Sequence, residues 1–349
     1  MLSSLASSKS LLLEDAKLAW GDLPLDLVRG RRVLVTGASG LLGSHFLAGL
    51  LEVQRELQGD LAIDAVVHSG LPDWFAEESA AGRIRVHQGD LAKASFVDSL
   101  PEAEVVIHAA TYSQPALFTL DPVATIRLNT TVTLSLLDKL GPGGKFLFVS
   151  SSEVYSGLEN PPYREEQIGL TNTTHARACY IEGKRCGEAA CFSYRRNGIE
   201  ARAARLCLAY GPGTRPGDRR VLNAFIERAL REGKIQLLDD GSSRRAYCYV
   251  SDAMFMLWRI LLCGRLAVYN VGGTWQTSVL ELAELIGRIL NVPVEAGAGS
   301  GGGLAGAPKE VAVDCSRFQE EFGRLRFVPA ERGIERTIGW QKFLYAPRG

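Results

Sequence analysis

The sequence predicts an α/β protein: a doubly wound parallel sheet with a smaller C-terminal lobe. Two observations carry this. Residues 31–46, RRVLVTGASGLLGSHF, read as a short β-branched strand, a glycine turn and the first turns of a helix. Apolar strand-like runs then alternate with helical stretches as far as residue 208. No internal repeat is visible beyond that alternation.

Composition narrows the function. The 349 residues suit one large domain or two joined ones, and 46% are hydrophobic. Formal charge balances at zero, which removes the electrostatic case for nucleic acid or an acidic membrane. No apolar run approaches a membrane span, and the first twenty residues lack a signal peptide's apolar core. Seven cysteines, an odd number with no CxxC, fit reduced thiols in a cytoplasmic protein. No His/Cys spacing suggests a metal site.

In chain order, residues 1–30 are an N-terminal extension. Residues 11–27 are expected to form a short helix plus a linker on the outside of the sheet. Residues 31–212 are expected to form the dinucleotide-binding part, opening on Val33-Leu34-Val35. The turn Thr36-Gly37-Ala38-Ser39-Gly40-Leu41-Leu42-Gly43 has glycines at every third position. A glycine turn before a helix N-terminus points N–H groups and the helix dipole at a pyrophosphate. Gly37 suits the sharp turn, Gly40 a close cofactor approach, and Gly43 close helix–strand packing.

The second strand is Ala62–Val67, ending Val67-His68-Ser69-Gly70. An acid there would hold the adenosine ribose, and its absence leaves NAD against NADP open. Residues 84–87 form the third strand, before Asp90-Leu91. The fourth runs from Val105 into the small residues Ala109 and Ala110, which let backbone approach a cofactor. Residues 145–149 form the fifth, delivering Ser150-Ser151-Ser152-Glu153 to the carboxyl edge, where open α/β sheets bind ligands. Tyr180 and Lys184 then fall on one helix face. A nearby lysine favours an ionised phenol, and such a tyrosine can take a proton from a substrate hydroxyl. Residues 201–208 form the sixth strand. Residues 213–345 mainly form the second lobe, interleaved with the sheet, and include helices at Val221–Glu232 and 278–290. A glycine/alanine loop covers 297–306.

From residue 31 to about Trp340 these landmarks resemble the extended short-chain dehydrogenase/reductase family, in its nucleotide-sugar epimerase, dehydratase and decarboxylase branch. Thr36–Gly43 matches the family's TGxxGxxG, and the fifth-strand serines and YxxxK follow in family order. The resemblance implies a Rossmann sheet and an NAD cofactor on Gly37, Ser39, Gly40, Leu41, Leu42, Gly43, Asp90, Leu91, Ala109, Ala110, Tyr180 and Lys184. It implies a nucleotide-sugar substrate, UDP-linked, touching Ser152, Arg245 and Asn129. His108 is implied to be structural. Leu208 departs from the family, which often has an Asn there beside the diphosphate. Helices around residues 129–137 and 180–194 resemble those that the family pairs into a homodimer, with Ala189, Ala190 and Phe192 on the apolar face.

The implied chemistry is removal of the sugar C4 hydrogen to NAD, with Tyr180 as base, Ser151 on the same oxygen, and Lys184 on the ribose and tuning Tyr180. A transient 4-keto sugar results. Ser152-Glu153 replaces the Asp-Glu of the 4,6-dehydratases and most resembles the UDP-glucuronate decarboxylases. Glu153 is then catalytic and points toward C5 and C6. A 4-epimerase is the next reading and a 4,6-dehydratase the third. A dinucleotide-binding sensor or structural protein is a fourth, but it would predict a damaged catalytic set, and Ser151, Tyr180 and Lys184 are all present.

Overall fold

The computed structural model describes residues 2–295, Gly297, 310–323 and 325–345. Beyond Gly297, the loop expected over 297–306 lies outside the described residues. Strands β1 (Arg32–Thr36), β2 (Ala62–Val67), β3 (Arg85–Gln88), β4 (Val105–His108), β5 (Lys145–Ser151) and β6 (Glu200–Leu206) enter the central sheet in turn. The chain then makes β7 (Leu208–Tyr210), β8 (Ile235–Gln236) and β9 (Arg244–Tyr249) before returning with β10 (Val268–Val271). The sheet is seven-stranded, in the order β10-β6-β5-β4-β1-β2-β3, and every pairing is parallel.

Strand alternation explains why the sheet is covered on both faces. Val33 and Val35 of β1 join one apolar cluster with Phe46 and Trp258. Leu34, between them, joins the other with Val106, Phe146 and Phe148. Successive side chains point to opposite faces, so an all-apolar strand needs helices on each. The strand order reverses between β1 and β4, which opens a crevice at their carboxyl ends.

Three expectations need correction. The N-terminal helix is longer than expected, Leu2–Trp20, and it packs on helices rather than on strands. Its buried Trp20 meets Trp258 edge-on at 4.9 Å, and Asp15 accepts hydrogen bonds from Tyr249 and Arg336. The expected sixth strand divides after Leu206. Leu208 is half-exposed and belongs to β7, which leaves the central sheet to pair with β9. The stretch 129–137 is not one helix either. Pro122–Asn129 ends at Thr130, whose backbone (φ −119°, ψ −82°) is not helical, and Thr131–Leu137 restarts after it.

Trp275–Ser278 forms β11, which pairs with β9, while Glu310–Val311 forms β13 on the other side of β9, after β12 (Val294–Glu295). The Val279–Leu290 helix starts on a capping box in which Ser278 and Glu281 satisfy each other's backbone N–H groups.

A buried ionic network fixes the carboxyl end of β5. Ser150 donates to Glu188 at 2.5 Å, Arg205 binds both Glu188 oxygens, and its Nη1 also donates to Tyr155 Oη at 2.9 Å. Tyr155 donates onward to Asn270 at 2.7 Å. Glu188→Ala leaves the Arg205 charge buried without its carboxylate. It is expected to cost about 3–5 kcal/mol in urea unfolding. A change below about 1 kcal/mol would mean that the network does not organise this edge.

Candidate active site

The crevice at the sheet's carboxyl edge is a cleft of about 540 Å³. The glycine turn forms one wall. Gly37 has φ +67°, and a Cβ there would meet the Ala109 carbonyl at 2.8 Å. A Cβ on Gly43 would lie 2.2 Å from the Gly37 oxygen, so Gly43 is a packing requirement. Gly40 differs from both. Its backbone is ordinary, its nearest neighbour to a Cβ is at 3.4 Å, and it lines the cleft. Ser39, Leu41, Leu42, Ala109 and Ala110 line the same wall.

This wall is anchored from below by His108. Thr36 Oγ1 donates to its Nδ1 and its Nε2 donates to the Leu128 carbonyl, each at 2.8 Å. Burial pushes its pKa down to about 3, so it stays a neutral structural tether.

Ser151, Ser152, Glu153, Tyr180 and Lys184 line the opposite wall. The Ser151 hydroxyl accepts from the Glu153 N–H at 3.2 Å and hydrogen-bonds the Tyr180 phenol. Phe118 stacks on the Tyr180 ring, with centroids 4.7 Å apart and planes 11° apart, which fixes the phenol's direction. Burial raises the Tyr180 pKa to about 12. The Ser151 bond, Arg177 and Arg220 oppose that rise, while Glu153 adds to it.

Lys184 lies near Tyr180, its amine 5.6 Å from that ring's centroid. Its amine donates to the Val149 carbonyl at 2.6 Å and lies 4.6 Å from the Phe148 ring centroid. Burial pulls its pKa down to about 7. Arg177 and Arg220 also favour the Tyr180 phenolate.

Glu153 differs from expectation. It lines the cleft, but one carboxylate oxygen is paired with Arg177 and the other accepts from Ser156 at 3.3 Å. Arg177 is buried beside it, with its guanidinium 5.6 Å from the Phe118 ring.

Other expected contacts lie off the cleft lining. Asn129 is fully buried, and its amide nitrogen donates to Thr111 at 3.0 Å and the Thr125 carbonyl at 2.8 Å. It braces helices instead of reaching a substrate. Asp90 is at the end of β3, where its carboxylate accepts the Ala92 N–H, with buried Leu91 beside it. Arg245 is on β9, half-buried and within electrostatic range of Glu153 and Arg177.

The sequence alone assigns no role to Arg177, Phe118, Thr214, Arg215, Asp218 and Arg220. All six line the cleft. The spacing of Arg177, three residues before Tyr180, was a usable signal, since residues so spaced are neighbours at a helix start. Phe118 carried none. Arg215 reaches across to the end of β2, donating to the Gly70 carbonyl at 2.9 Å. The described residues hold no His/Cys/Asp/Glu group suited to a metal ion, and none of their helices is long and apolar enough to cross a membrane.

Residues 33–272 match the NAD dependent epimerase/dehydratase family. UDP-glucuronic acid decarboxylase 6 of Arabidopsis thaliana is 32% identical over 266 residues, 76% of each chain. UDP-glucuronic acid decarboxylase 1 of Xenopus tropicalis is 28% identical over 316 residues, 88% of this chain and 71% of that one. Among solved structures, the dTDP-glucose 4,6-dehydratase of Streptomyces venezuelae with NAD superimposes with a TM-score of 0.74 at 22% identity, covering 89% of this chain and 97% of that one. The UDP-glucuronic acid 4-epimerase of Bacillus cereus, in complex with UDP-glucuronic acid and NAD, gives 0.72 at 23%, covering 90% and 100%. These two likenesses bear on the fold.

Proposed function

Since the chain belongs to the NAD dependent epimerase/dehydratase family, we propose that it decarboxylates a UDP-linked uronic acid through a transient 4-keto sugar, with NAD as resident cofactor. The observation that carries this is the single cleft in which Ser151, Tyr180 and Lys184 face the glycine wall with Glu153 beside them. The similarity to UDP-glucuronic acid decarboxylases over three quarters of the chain supports the choice of substrate.

The residues fit the cofactor. Gly40 leaves open the space that a pyrophosphate would take beside the helix N-terminus. Gly37, Ser39, Gly40, Leu41, Leu42 and Gly43 would hold the pyrophosphate, and Lys184 the ribose. Bound NAD supplies the acceptor for the C4 hydrogen and its later return.

Tyr180 takes the proton of the C4 hydroxyl while Ser151 holds the same oxygen. The C4 ketone is then β to the C6 carboxylate. The C5–C6 bond breaks, carbon dioxide leaves, and the electron pair passes into an enolate on C4–C5. Ser151 and protonated Tyr180 stabilise its oxygen in a site already ordered by Phe118. Protonation at C5 restores the ketone. Ser152 and Arg245 contact the substrate in this reading, and residues 213–345 mainly form the lobe over it. Incubation with a panel of nucleotide sugars, followed by mass spectrometry, separates loss of carbon dioxide from loss of water or an unchanged mass. The last outcome would replace this reading with a 4-epimerase.

The protein also works as a cytoplasmic homodimer in this proposal. Val123, Ile126, Leu134 and Phe192 are exposed on neighbouring helices, more apolar surface than scattered single residues present. Ala189 is exposed with them, whereas Ala190 is buried in the protomer's own core and drops out of the expected face. Light scattering at micromolar concentration is expected to give twice the chain mass, and Phe192→Glu to give the monomer. A monomeric parent would overturn this arrangement.

A further inference from the structure

Two charged side chains pair in the cleft that Ser151 lines, and a third stands within electrostatic range of both. Glu153 follows β5, Arg177 precedes the Ala178–Tyr194 helix, and Arg245 comes from β9. Glu153 and Arg177 form an ion pair whose side chains are 20% and 8% exposed, and both line the cleft. Arg245 feels the charge of each. The Glu153–Arg177 pair therefore presents compensated charge at the cleft wall.

Arg177 is held in place on two sides. Glu153 takes one terminal nitrogen, and the Phe118 ring, itself stacked on Tyr180, packs against the guanidinium. Its Nε–H is buried and has no hydrogen-bond partner. Arg177 lines the cleft, where a guanidinium can meet a ligand carboxylate. Removing Arg177 would leave the Glu153 carboxylate in the cleft without its ion-pair partner.

We propose that Arg177 is the specificity-determining residue for a carboxylated sugar: it neutralises Glu153 and presents its guanidinium to the C6 carboxylate. This rests on the uronic acid reading above and names the residue that imposes it. The choice is made by a difference between ligands. A C6 carboxylate meets a compensated, donor-bearing wall, while a C6 hydroxymethyl gains little from it. Charge-assisted hydrogen bonds of this kind are the strong ones.

The test is equilibrium binding of UDP-glucuronate and UDP-glucose to NAD-loaded protein carrying Tyr180→Phe, which blocks turnover. The two ligands differ only at C6. The Tyr180→Phe parent is expected to bind UDP-glucuronate more tightly by about tenfold or more. Arg177→Met removes or inverts that preference. Adding Glu153→Gln to Arg177→Met recovers much of it, because the repelling carboxylate is gone, and Arg177→Lys keeps part of it. Retained NAD binding in each variant shows that the site has folded. An Arg177→Met protein with the parental preference would overturn the proposal. So would a double variant as poor as Arg177→Met alone, since a purely structural loss is not repaired by changing Glu153. A parent with no preference between the two ligands would instead overturn the uronic acid reading itself.

Discussion

Tyr180→Phe is expected to lower kcat by about a hundred- to ten-thousand-fold, the usual contribution of a positioned acid/base. Binding of NAD and of UDP-glucuronate should stay near parental. The substitution keeps the ring, so the stack on Phe118 survives and only the hydroxyl on Ser151 is lost. The direction of the pH effect follows from the site. Without ligands, burial holds the Tyr180 pKa up at about 12, and a base must be ionised to accept a proton. The positive charge of oxidised nicotinamide favours the phenolate, so NAD binding should lower that pKa. Turnover should then fall as pH drops through the lowered value. Steady-state kinetics across pH on parent and variant check both statements. A variant with near-parental kcat would move the proton transfer to another group.

Gly40→Val is expected to abolish NAD retention while the protein still folds. Gly40 has φ −82° and ψ 177°, which valine accepts, and no atom closer than 3.4 Å would meet its Cβ. The side chain would instead fill the space proposed for the pyrophosphate. Gly43→Val should behave differently, since its Cβ would stand 2.2 Å from the Gly37 oxygen and must break the strand–helix packing. Cofactor release on denaturation, read beside thermal unfolding, distinguishes a lost ligand from a lost fold. Unchanged NAD binding in Gly40→Val would contradict the cradle.

Much of the frame was legible because local pattern and global fold agree. The strand–glycine turn–helix at residues 31–46 appears in the structure as β1 and the Leu41–Glu56 helix. Ser151, Tyr180 and Lys184 do share one cleft with the glycine turn, as their order along the chain implied. Electrostatics were the least legible part. A lysine four residues after a tyrosine suggests a charge beside the phenol. Only the structure reveals that Lys184 is buried, bonded to Val149 and shifted to about 7. Glu153 likewise reads as a free carboxylate until Arg177, twenty-four residues later, is seen to pair with it. Asn129 lies behind the cleft lining, bonded to Thr111 of its wall, for a simpler reason. Its place in sequence fits a site residue, yet the break at Thr130 leaves it between helices. Such long-range packing has no periodicity to read.

The central claim is that this cleft removes C6 of a uronic acid after oxidation at C4. It is tested most directly with UDP-glucuronate labelled with carbon-13 at C6, given to the NAD-loaded protein and followed by carbon NMR. The account predicts that the label leaves the nucleotide sugar as carbon dioxide and bicarbonate, and that Tyr180→Phe stops its release. A label that stays on a nucleotide sugar of unchanged mass, with its C4 configuration inverted, would contradict it.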